Sequence, residues 1–362
     1  AGLMSAPAFA QSNVTVYGVV DMAYTNYSSS DTNLKSRSGL DDGHWAGSRV
    51  GFKGTEDLGN GLKAGFVYEF GVDADKAATI GSGRQTYLTL SGGFGTVAVG
   101  RQYTPQFNLL YEVDPFATGT VGNLVNSSAG IGTNGNLYSM GAFQSGIIRL
   151  DNLVAYVSPN FGGLTVTAGY TANGIGDEAE TVKPAKSTNT KIYAISPVYT
   201  NGPLMVGLNY HVVSNDNLTA GTLGVTNADI KNTVWDLAGA YDFGVVKLSA
   251  AYGRSSLDIK TVAAEPVETQ WMVGATVPVG AAGKVALSYA RNSVDFDTAG
   301  VSDAKASKWA LGYFHSLSKR TTIYTAYADI NTNTNADGNF SVGGSATADY
   351  TKGFSLGVNH RF

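Results

Sequence analysis

Strict alternation of side-chain character in one short segment near the amino terminus decides the fold class. The segment reads Thr15-Val16-Tyr17-Gly18-Val19-Val20-Asp21-Met22, and its polar side chains are confined to odd positions. The same period governs the end of the chain, where one face carries Phe354, Leu356, Val358, His360 and Phe362. A period of two is that of a β-strand with one apolar and one polar face. Strands of about ten residues are long for soluble sheets and suffice to cross a bilayer at a tilt of about 45°.

The overall composition agrees with an all-β chain and excludes several other classes. Of 362 residues, 46 are Gly and none is Cys, and only 14% are charged, against roughly 25% in soluble domains. A hydrophobic content of 43% excludes a disordered chain. No apolar run approaches the ~18 residues of a membrane helix. The net charge of −4 argues against a nucleic-acid partner, which normally selects a basic excess.

Connections between the strands alternate between short turns and long polar loops. Seven short turns rich in Gly, Asn and Asp occur at 57–60, 91–93, 159–162, 200–202, 242–244, 280–283 and 316–319. Eight long loops lie at 28–44, 74–83, 104–145, 174–189, 215–231, 258–267, 296–306 and 332–348. This pattern predicts a 16-stranded antiparallel transmembrane β-barrel with short periplasmic turns and long outer loops. A soluble propeller is the alternative, but its blades would repeat a sequence signature about every 40 residues.

The barrel is predicted to be a single domain over 11–362, preceded by a signal-peptide remnant at 1–10. That remnant ends in Ala8-Phe9-Ala10, followed by Gln11, which matches the small-residue pattern of a cleavage site. The alternative is an ordinary Ala-rich terminus. Four phenylalanines beside short turns, Phe94, Phe161, Phe243 and Phe314, are expected to form one aromatic girdle.

Several longer blocks resemble one known family, the trimeric general diffusion porins of Gram-negative outer membranes, most closely the neisserial and betaproteobacterial branch. The blocks that carry the resemblance are residues 14–21, 48–64, 94–105 and 114–116, together with the terminal Phe362. The resemblance implies a homotrimer in the outer membrane and a third loop, 104–145, folded into the lumen as a constriction. It also implies passive diffusion of small hydrophilic solutes and inorganic ions, with outer-membrane lipid or lipopolysaccharide as surroundings.

Basic side chains are expected to line one wall of the pore. Arg49 and Lys53 alternate with Val50 and Phe52, which places both on the lumen side. Arg149 is placed inside by the same alternation, and Arg84 mainly by the resemblance to the family. The alternative for each is a solvated strand end or a surface ion pair.

Acidic residues are expected to oppose this wall. The third loop contains Glu112 and Asp114, although Asp114 could simply begin a turn with Pro115. Alternation assigns Asp21 and Asp151 to the lumen, with Asn152 as a misfit. Arg101 has the parity of the outward face, which predicts a subunit contact or a loop anchor.

The balance of these charges predicts a mild anion preference despite the negative net charge. A solute-specific channel is one alternative, and a barrel hydrolase is another. Only four histidines are present, and no G-x-S-x-G segment accompanies them, so no enzyme is expected. No cofactor or metal is expected either, because the calcium-like stretch from Asn333 has Gly344 where a Glu ligand belongs. An outward row of Phe354, Leu356, Val358 and Phe362 is predicted to be the assembly signal.

Overall fold

A computed structural model describes residues 13–28, 35–77, 80–124, 148–174, 189–220, 225–333 and 350–362. Within them lie seventeen strands and one helix, α1. The strands are β1 (Asn13–Ser28), β2 (Arg37–Asp42), β3 (Arg49–Gly59), β4 (Leu62–Val72), β5 (Ile80–Gly92), β6 (Gly95–Tyr103), β7 (Arg149–Val157), β8 (Leu164–Thr171), β9 (Thr190–Asn201), β10 (Leu204–Ala220), β11 (Val225–Asp242), β12 (Lys247–Ile259), β13 (Val267–Val279), β14 (Gly283–Asp295), β15 (Ala304–Ser316), β16 (Thr321–Thr332) and β17 (Lys352–Arg361). The helix is α1 (Pro105–Val113). The predicted signal remnant lies outside the described residues.

All strands form one closed antiparallel sheet. Each strand from β3 to β17 pairs with the next along the chain, and β17 pairs with β1. Strand β1 also pairs with both β2 and β3, since Met22 faces Asp42 and Val19 faces Arg49. Strands β2 and β3 are therefore two halves of a single barrel stave. The wall has sixteen staves, which confirms the predicted barrel.

Two loop boundaries differ from the sequence prediction. The predicted loop 28–44 contains β2, because residues 37–42 pair with the outer half of β1. The predicted loop 215–231 is mostly strand, since β10 extends to Ala220 and β11 begins at Val225. The sequence prediction missed both strand extensions because their side chains are mostly polar. Strands that project beyond the bilayer no longer need an apolar face.

The two faces of the sheet differ in the way the alternation predicts. On β17, Leu356 is 53% exposed on the outside, whereas Ser355 is fully buried inside. Closure pairs every strand edge, so each backbone polar group of the wall finds a partner away from water. No helix among the described residues is long and apolar enough to cross a membrane.

The third loop enters the barrel, as predicted. Helix α1 begins where the Thr104 hydroxyl accepts a hydrogen bond from the Phe107 amide, with Pro105 in the first turn. Its buried face, Leu109, Leu110 and Val113, packs on inward residues of the opposite wall. Those inward residues are Ala238, Ala240, Ala251, Met272 and Ala290. Residues 125–147 lie outside the described part of the loop.

Small residues of the opposite wall permit this close approach. A methyl group at Gly207 would overlap the Leu109 side chain, and one at Gly274 would overlap Pro115. The wall from β10 to β15 therefore fits the inserted loop by shape.

The outer surface carries a repeating aromatic motif on β11–β16. Three Trp–Tyr pairs recur on successive hairpins, with ring centroids 5.3–5.5 Å apart. The pairs are Trp235–Tyr252, Trp271–Tyr289 and Trp309–Tyr327. Such rings suit the interfacial level of a membrane.

One member of the predicted turn-side girdle is wrong. Phe94, Phe161 and Phe243 are 45–63% exposed, but Phe314 is 2% exposed and points inward. It packs there against Trp45 and Tyr324. Its neighbour Tyr313 takes the outward position, because the strand alternation continues to the end of β15.

Candidate permeation site

A cavity of about 1040 Å³ lies inside the barrel between the β3–β7 wall and the inserted loop. Arg49, Arg84 and Arg149 line it on the wall side, and Tyr111 and Glu112 line it from α1. We call the inner side of β3–β7 with these three arginines the arginine wall. The structure thus brings three of the four predicted basic residues together, opposite one of the two predicted loop acids.

Glu69 on β4 holds two of the arginines in place. Its carboxylate lies 2.9 Å from Arg84 Nε and 3.4 Å from Arg49 Nε, and it accepts a hydrogen bond of 3.2 Å from the Tyr17 hydroxyl. Glu69 is nearly buried, and β4 pairs with both β3 and β5, so one carboxylate serves both guanidinium groups. Sequence reasoning missed this residue. The sequence feature that could have identified Glu69 is its position as a single acid between Tyr68 and Phe70. Alternation with these outward aromatic residues places Glu69 inside.

Tyr103 links the third arginine to this cluster. Its hydroxyl accepts hydrogen bonds from Arg84 Nη2 at 3.1 Å and Arg149 Nη2 at 3.0 Å. The Arg149 guanidinium lies 4.6 Å from the centre of the Tyr103 ring, and that ring stacks on Phe107 of α1 at 4.6 Å. On the other side, a methyl group at Gly47 would lie 2.6 Å from Arg84 Nη1. The guanidinium groups are therefore held in fixed positions facing the cavity.

Lys53 lies apart from the three arginines. It is exposed, and its ammonium is 5.2 Å from the centre of the Tyr17 ring. Lys53 faces Thr15 on β1. This pair lies two residues closer to the short turns than the pair formed by Gly51 and Tyr17. It adds positive charge to the same wall without lining the main cavity.

The two loop acids have different surroundings. Glu112 is exposed and lines the cavity, and its backbone carbonyl accepts a hydrogen bond from Lys247. Asp114 is buried, and its carboxylate accepts hydrogen bonds from the amides of Phe116, Thr118 and Leu124. Burial raises the pKa of the Asp114 carboxyl, against the opposing effect of these amides and of Lys308. Asp114 therefore organises the loop, which corrects the prediction that it opposes the arginines across the pore.

Lys308 on β15 is a charged residue that sequence reasoning missed. It is 3% exposed, and its ammonium donates a 2.7 Å hydrogen bond to the Asn123 carbonyl of the inserted loop. It also interacts electrostatically with Asp114. The alternation of β15 could have identified Lys308, because Trp309 and Leu311 face outward and the intervening positions, including Lys308, face inward.

The predicted lumen position of Asp151 is corrected by a β-bulge. The pairing of β6 with β7 shifts between Gly100 and Gln102, and Asn152 has a positive φ of 53°. The bulge breaks the alternation on which the prediction rested and accounts for the misfit at Asn152. Asp151 does not line the cavity but forms an ion pair with Arg101.

Arg101 lies on the outward side of the sheet and ties three strands together. It is paired with Thr86, in the same row as the exposed pair Leu88 and Val99. Its Nε donates a 2.9 Å hydrogen bond to the Gly83 carbonyl on β5, and its Nη1 bonds Asp151 on β7.

Asp21 faces inward, but its carboxylate is enclosed by hydrogen-bond donors and does not line the main cavity. It is fully buried and accepts hydrogen bonds from the Trp45 amide (3.0 Å), the Tyr324 hydroxyl (2.8 Å) and Asn359 Nδ2 (2.7 Å). The bond to the Trp45 amide holds residues 43–48, the segment that joins β2 to β3. This segment also reaches the inserted loop, where the His44 carbonyl accepts a hydrogen bond from the Thr120 amide. Sequence reasoning missed this inward segment.

The predicted assembly residues form an outward row at the end of β17. Phe354, Leu356, Val358 and Phe362 are 36–53% exposed. The backbone of Phe362 exchanges two hydrogen bonds with Gly18 on β1, both 3.1 Å long. The described part of the chain contains no cluster of three His, Cys, Asp or Glu side chains arranged for a metal ion.

Comparison with known proteins now identifies the family. The sequence profile of the Gram-negative porin family matches residues 1–336. The chain belongs to the Gram-negative porins. It is 35% identical to outer membrane porin protein 32 of Delftia acidovorans, over 99% of this chain and 96% of that protein. It is 30% identical to an outer membrane porin of Bordetella pertussis, over 87% and 88% of the two chains.

Solved porin structures share the architecture. An anion-selective porin from Comamonas acidovorans superposes with a TM-score of 0.78 and 29% identity, over 97% of this chain and 100% of that one. The trimer form of OmpT from Vibrio cholerae superposes with a TM-score of 0.69 at 17% identity, over 97% of this chain and 99% of that one, and shows the fold alone. These relationships confirm the predicted family and outer-membrane location. The porin is a passive diffusion channel and not an enzyme.

Proposed function

We propose that this porin prefers small anions, and that the arginine wall sets the preference. The observation that carries the proposal is that Arg49, Arg84 and Arg149 face one cavity, where Glu69 is the described carboxylate that contacts Arg49 and Arg84. Arginine stays charged at any relevant pH, so the wall keeps its field. The related porin from Comamonas acidovorans is described as anion-selective, which supports the proposal by analogy.

The position of the charges, rather than their total, decides the direction of the preference. The cavity lining as a whole is nearly balanced, with six basic and five acidic residues. Asp73 and Asp75 lie in the connection after β4 on the long-loop side, and Asp41 is paired with Arg37. The three arginines instead converge on the cavity from β3, β5 and β7, where Glu69 and Tyr103 hold them. At 0.15 M salt a charge beyond about 8 Å is largely screened, so permeating ions respond mainly to the wall.

A planar-bilayer measurement with a potassium chloride gradient tests this proposal. The zero-current potential should have the sign of chloride preference, and its size should fall as the mean salt concentration rises. A strong preference for potassium would contradict the assignment of selectivity to the arginine wall.

We further propose a homotrimer whose contact face lies on β5–β7. The aromatic pairs of β11–β16 suit a lipid interface, whereas the corresponding outward row on β5–β7 is aliphatic. Leu88, Val99 and Val154 are direct cross-strand partners and are 62%, 51% and 48% exposed. These three side chains form a contiguous exposed aliphatic patch that fits a protein partner, with the aromatic residues Tyr156 and Phe94 on its short-turn side. The Vibrio cholerae structure in a trimer form shares this fold.

Matched polar substitutions distinguish a subunit contact from a lipid contact. Leu88→Gln should convert the heat-sensitive trimer band on a gel to monomer, whereas Leu311→Gln, at a 45% exposed site on β15, should leave the trimer intact. Equal effects of the two substitutions would contradict the proposed contact face.

A further inference from the structure

We infer a second binding site at the short-turn mouth of the pore, built around Trp45, that takes small aromatic carboxylates. This inference rests on the proposed anion preference and names a solute class that the arginine wall alone does not select. The site consists of two adjoining pockets of about 390 and 370 Å³ that share Trp45, Ala281, Ala282, Ser316 and Thr322. We call these two pockets together the mouth pocket.

The indole of Trp45 is fixed from several directions. Its ring lies 4.9 Å from the Phe314 ring and 5.5 Å from the Tyr324 ring. Its backbone amide is held by Asp21, and a methyl group at Gly119 of the inserted loop would overlap its carbonyl. The indole is only half-buried and borders the mouth pocket as well as the main cavity. It is therefore a rigid apolar surface that a permeating solute meets.

Cations surround this surface. Lys284 Nζ and Arg361 Cζ lie 6.0 and 5.9 Å from the centre of the Trp45 ring. Lys319 and Arg320 also line the mouth pocket, and all of its lining residues are described and include no Asp or Glu. None of these four cations forms an ion pair with a described carboxylate. The main cavity differs in this respect, because acidic residues share its lining.

The combination selects for one chemical class. A carboxylate gains charge-assisted hydrogen bonds from Lys284 and Arg361, with hydroxyl groups of Ser316 and Thr322 nearby. A planar ring attached to that carboxylate can lie against the indole and the two alanines, which an inorganic anion cannot use. Pockets of this size suit a small ligand. Because Arg361 also borders both the main cavity and the mouth pocket, an anion leaving the arginine wall toward the turns passes this pair.

Tryptophan fluorescence provides a direct test, because Trp45 is the only one of the four tryptophans on the inner side. The others, Trp235, Trp271 and Trp309, lie in the outer aromatic pairs. Benzoate should protect the refolded porin from acrylamide quenching in a saturable way, and Trp45→Phe should abolish that protection. Cyclohexanecarboxylate has the same charge and similar bulk without a planar ring, and it should protect much less.

Charge variants and channel recordings complete the test. Lys284→Gln should weaken benzoate binding by about tenfold, whereas Lys260→Gln, which removes the same charge beside Asp229 beyond the far end of β12, should not. Benzoate should also reduce the chloride current more strongly from one side of the bilayer than from the other. Equal protection by cyclohexanecarboxylate, or no effect of Lys284→Gln, would overturn the inference. Chloride preference recorded on the same channels keeps the outcomes separate: if it persists without benzoate protection, only this inference fails.

Discussion

The arginine wall and the wall opposite it are both built from strands whose side chains alternate between the two faces. The arginine wall borders the open cavity, whereas the inserted loop covers the opposite wall. On the arginine wall, inward positions carry long charged side chains such as Arg49 and Glu69, which hold each other by ion pairs. On β10–β15, which we call the loop-bearing wall, inward positions such as Ala238, Ala251 and Gly274 are small and accept the inserted loop. The size of inward residues therefore decides where the lumen is filled, and their charge decides what passes through the remainder.

The largest expected effect comes from removing the acid that organises the loop. Asp114→Ala removes the acceptor of three backbone amides and the carboxylate that interacts electrostatically with the buried Lys308. Each buried donor left without its acceptor costs about 1–3 kcal/mol. We expect flickering single-channel currents and protease cleavage within 104–124 while the barrel stays intact. Asp114→Asn keeps one oxygen acceptor and should be milder, and quiet currents from Asp114→Ala would show that the loop is held by packing alone.

A second test fills the space that the loop occupies. Gly274→Val on the loop-bearing wall would collide with Pro115, and overpacking of this kind costs about 1–3 kcal/mol. The loop should shift toward the arginine wall and lower the conductance. Gly65→Val on β4 meets mainly the flexible Thr89 side chain at 2.7 Å and serves as the control. Equal conductance in the two variants would break the proposed contrast between the walls.

A smaller effect is expected on the outward side of β5–β7, behind the arginine wall. Arg101→Glu removes the bonds to Gly83 and Asp151 and places two carboxylates together. Because the pair is partly exposed, we expect a loss of about 1 kcal/mol. The proposed trimer should dissociate at a lower temperature on gels, with unchanged ion preference. A changed ion preference would mean that Arg101 contributes to the pore field after all.

The smallest effect on stability is expected where the two ends of the barrel meet. Deletion of Phe362 removes two backbone hydrogen bonds to Gly18 and the contact of its half-exposed ring with that glycine. The free energy of unfolding of the refolded truncated protein should therefore lie within about 1 kcal/mol of that of the full chain. In cells, however, we expect the truncated porin to remain periplasmic or to be degraded, because the outward row of β17 is the predicted assembly signal. Normal surface amounts of the truncated porin would contradict that prediction.

Periodicity alone could predict the staves, because one alternating face is required wherever a strand meets lipid. It also placed Arg49 correctly relative to Val50 and Phe52. It failed at Asp151, because a bulge with Asn152 at positive φ shifts the register; the polar Asn152 at an outward position was the local sign of that shift. Asp114 and Phe314 were misplaced for other reasons. The Asp114 carboxylate bonds amides of its own loop, and Phe314 was placed by its nearness to a short turn although the alternation of β15 puts it inside, against Trp45. Glu69 and Lys308 could have been predicted, because alternation with their outward aromatic neighbours places both side chains inside the barrel.

In the proposed function the arginine wall, and not the net charge of −4, sets the ion preference. The most direct test is the zero-current potential of Arg49→Glu/Arg149→Glu in a potassium chloride gradient. Lys260→Glu/Lys305→Glu is the control, because its exposed lysines lie beyond the wall and pair with Asp229 and Asp303. We predict that the wall variant changes sign to potassium preference while the control keeps chloride preference. The same potential in both variants would show that the arginine wall does not set the ion preference.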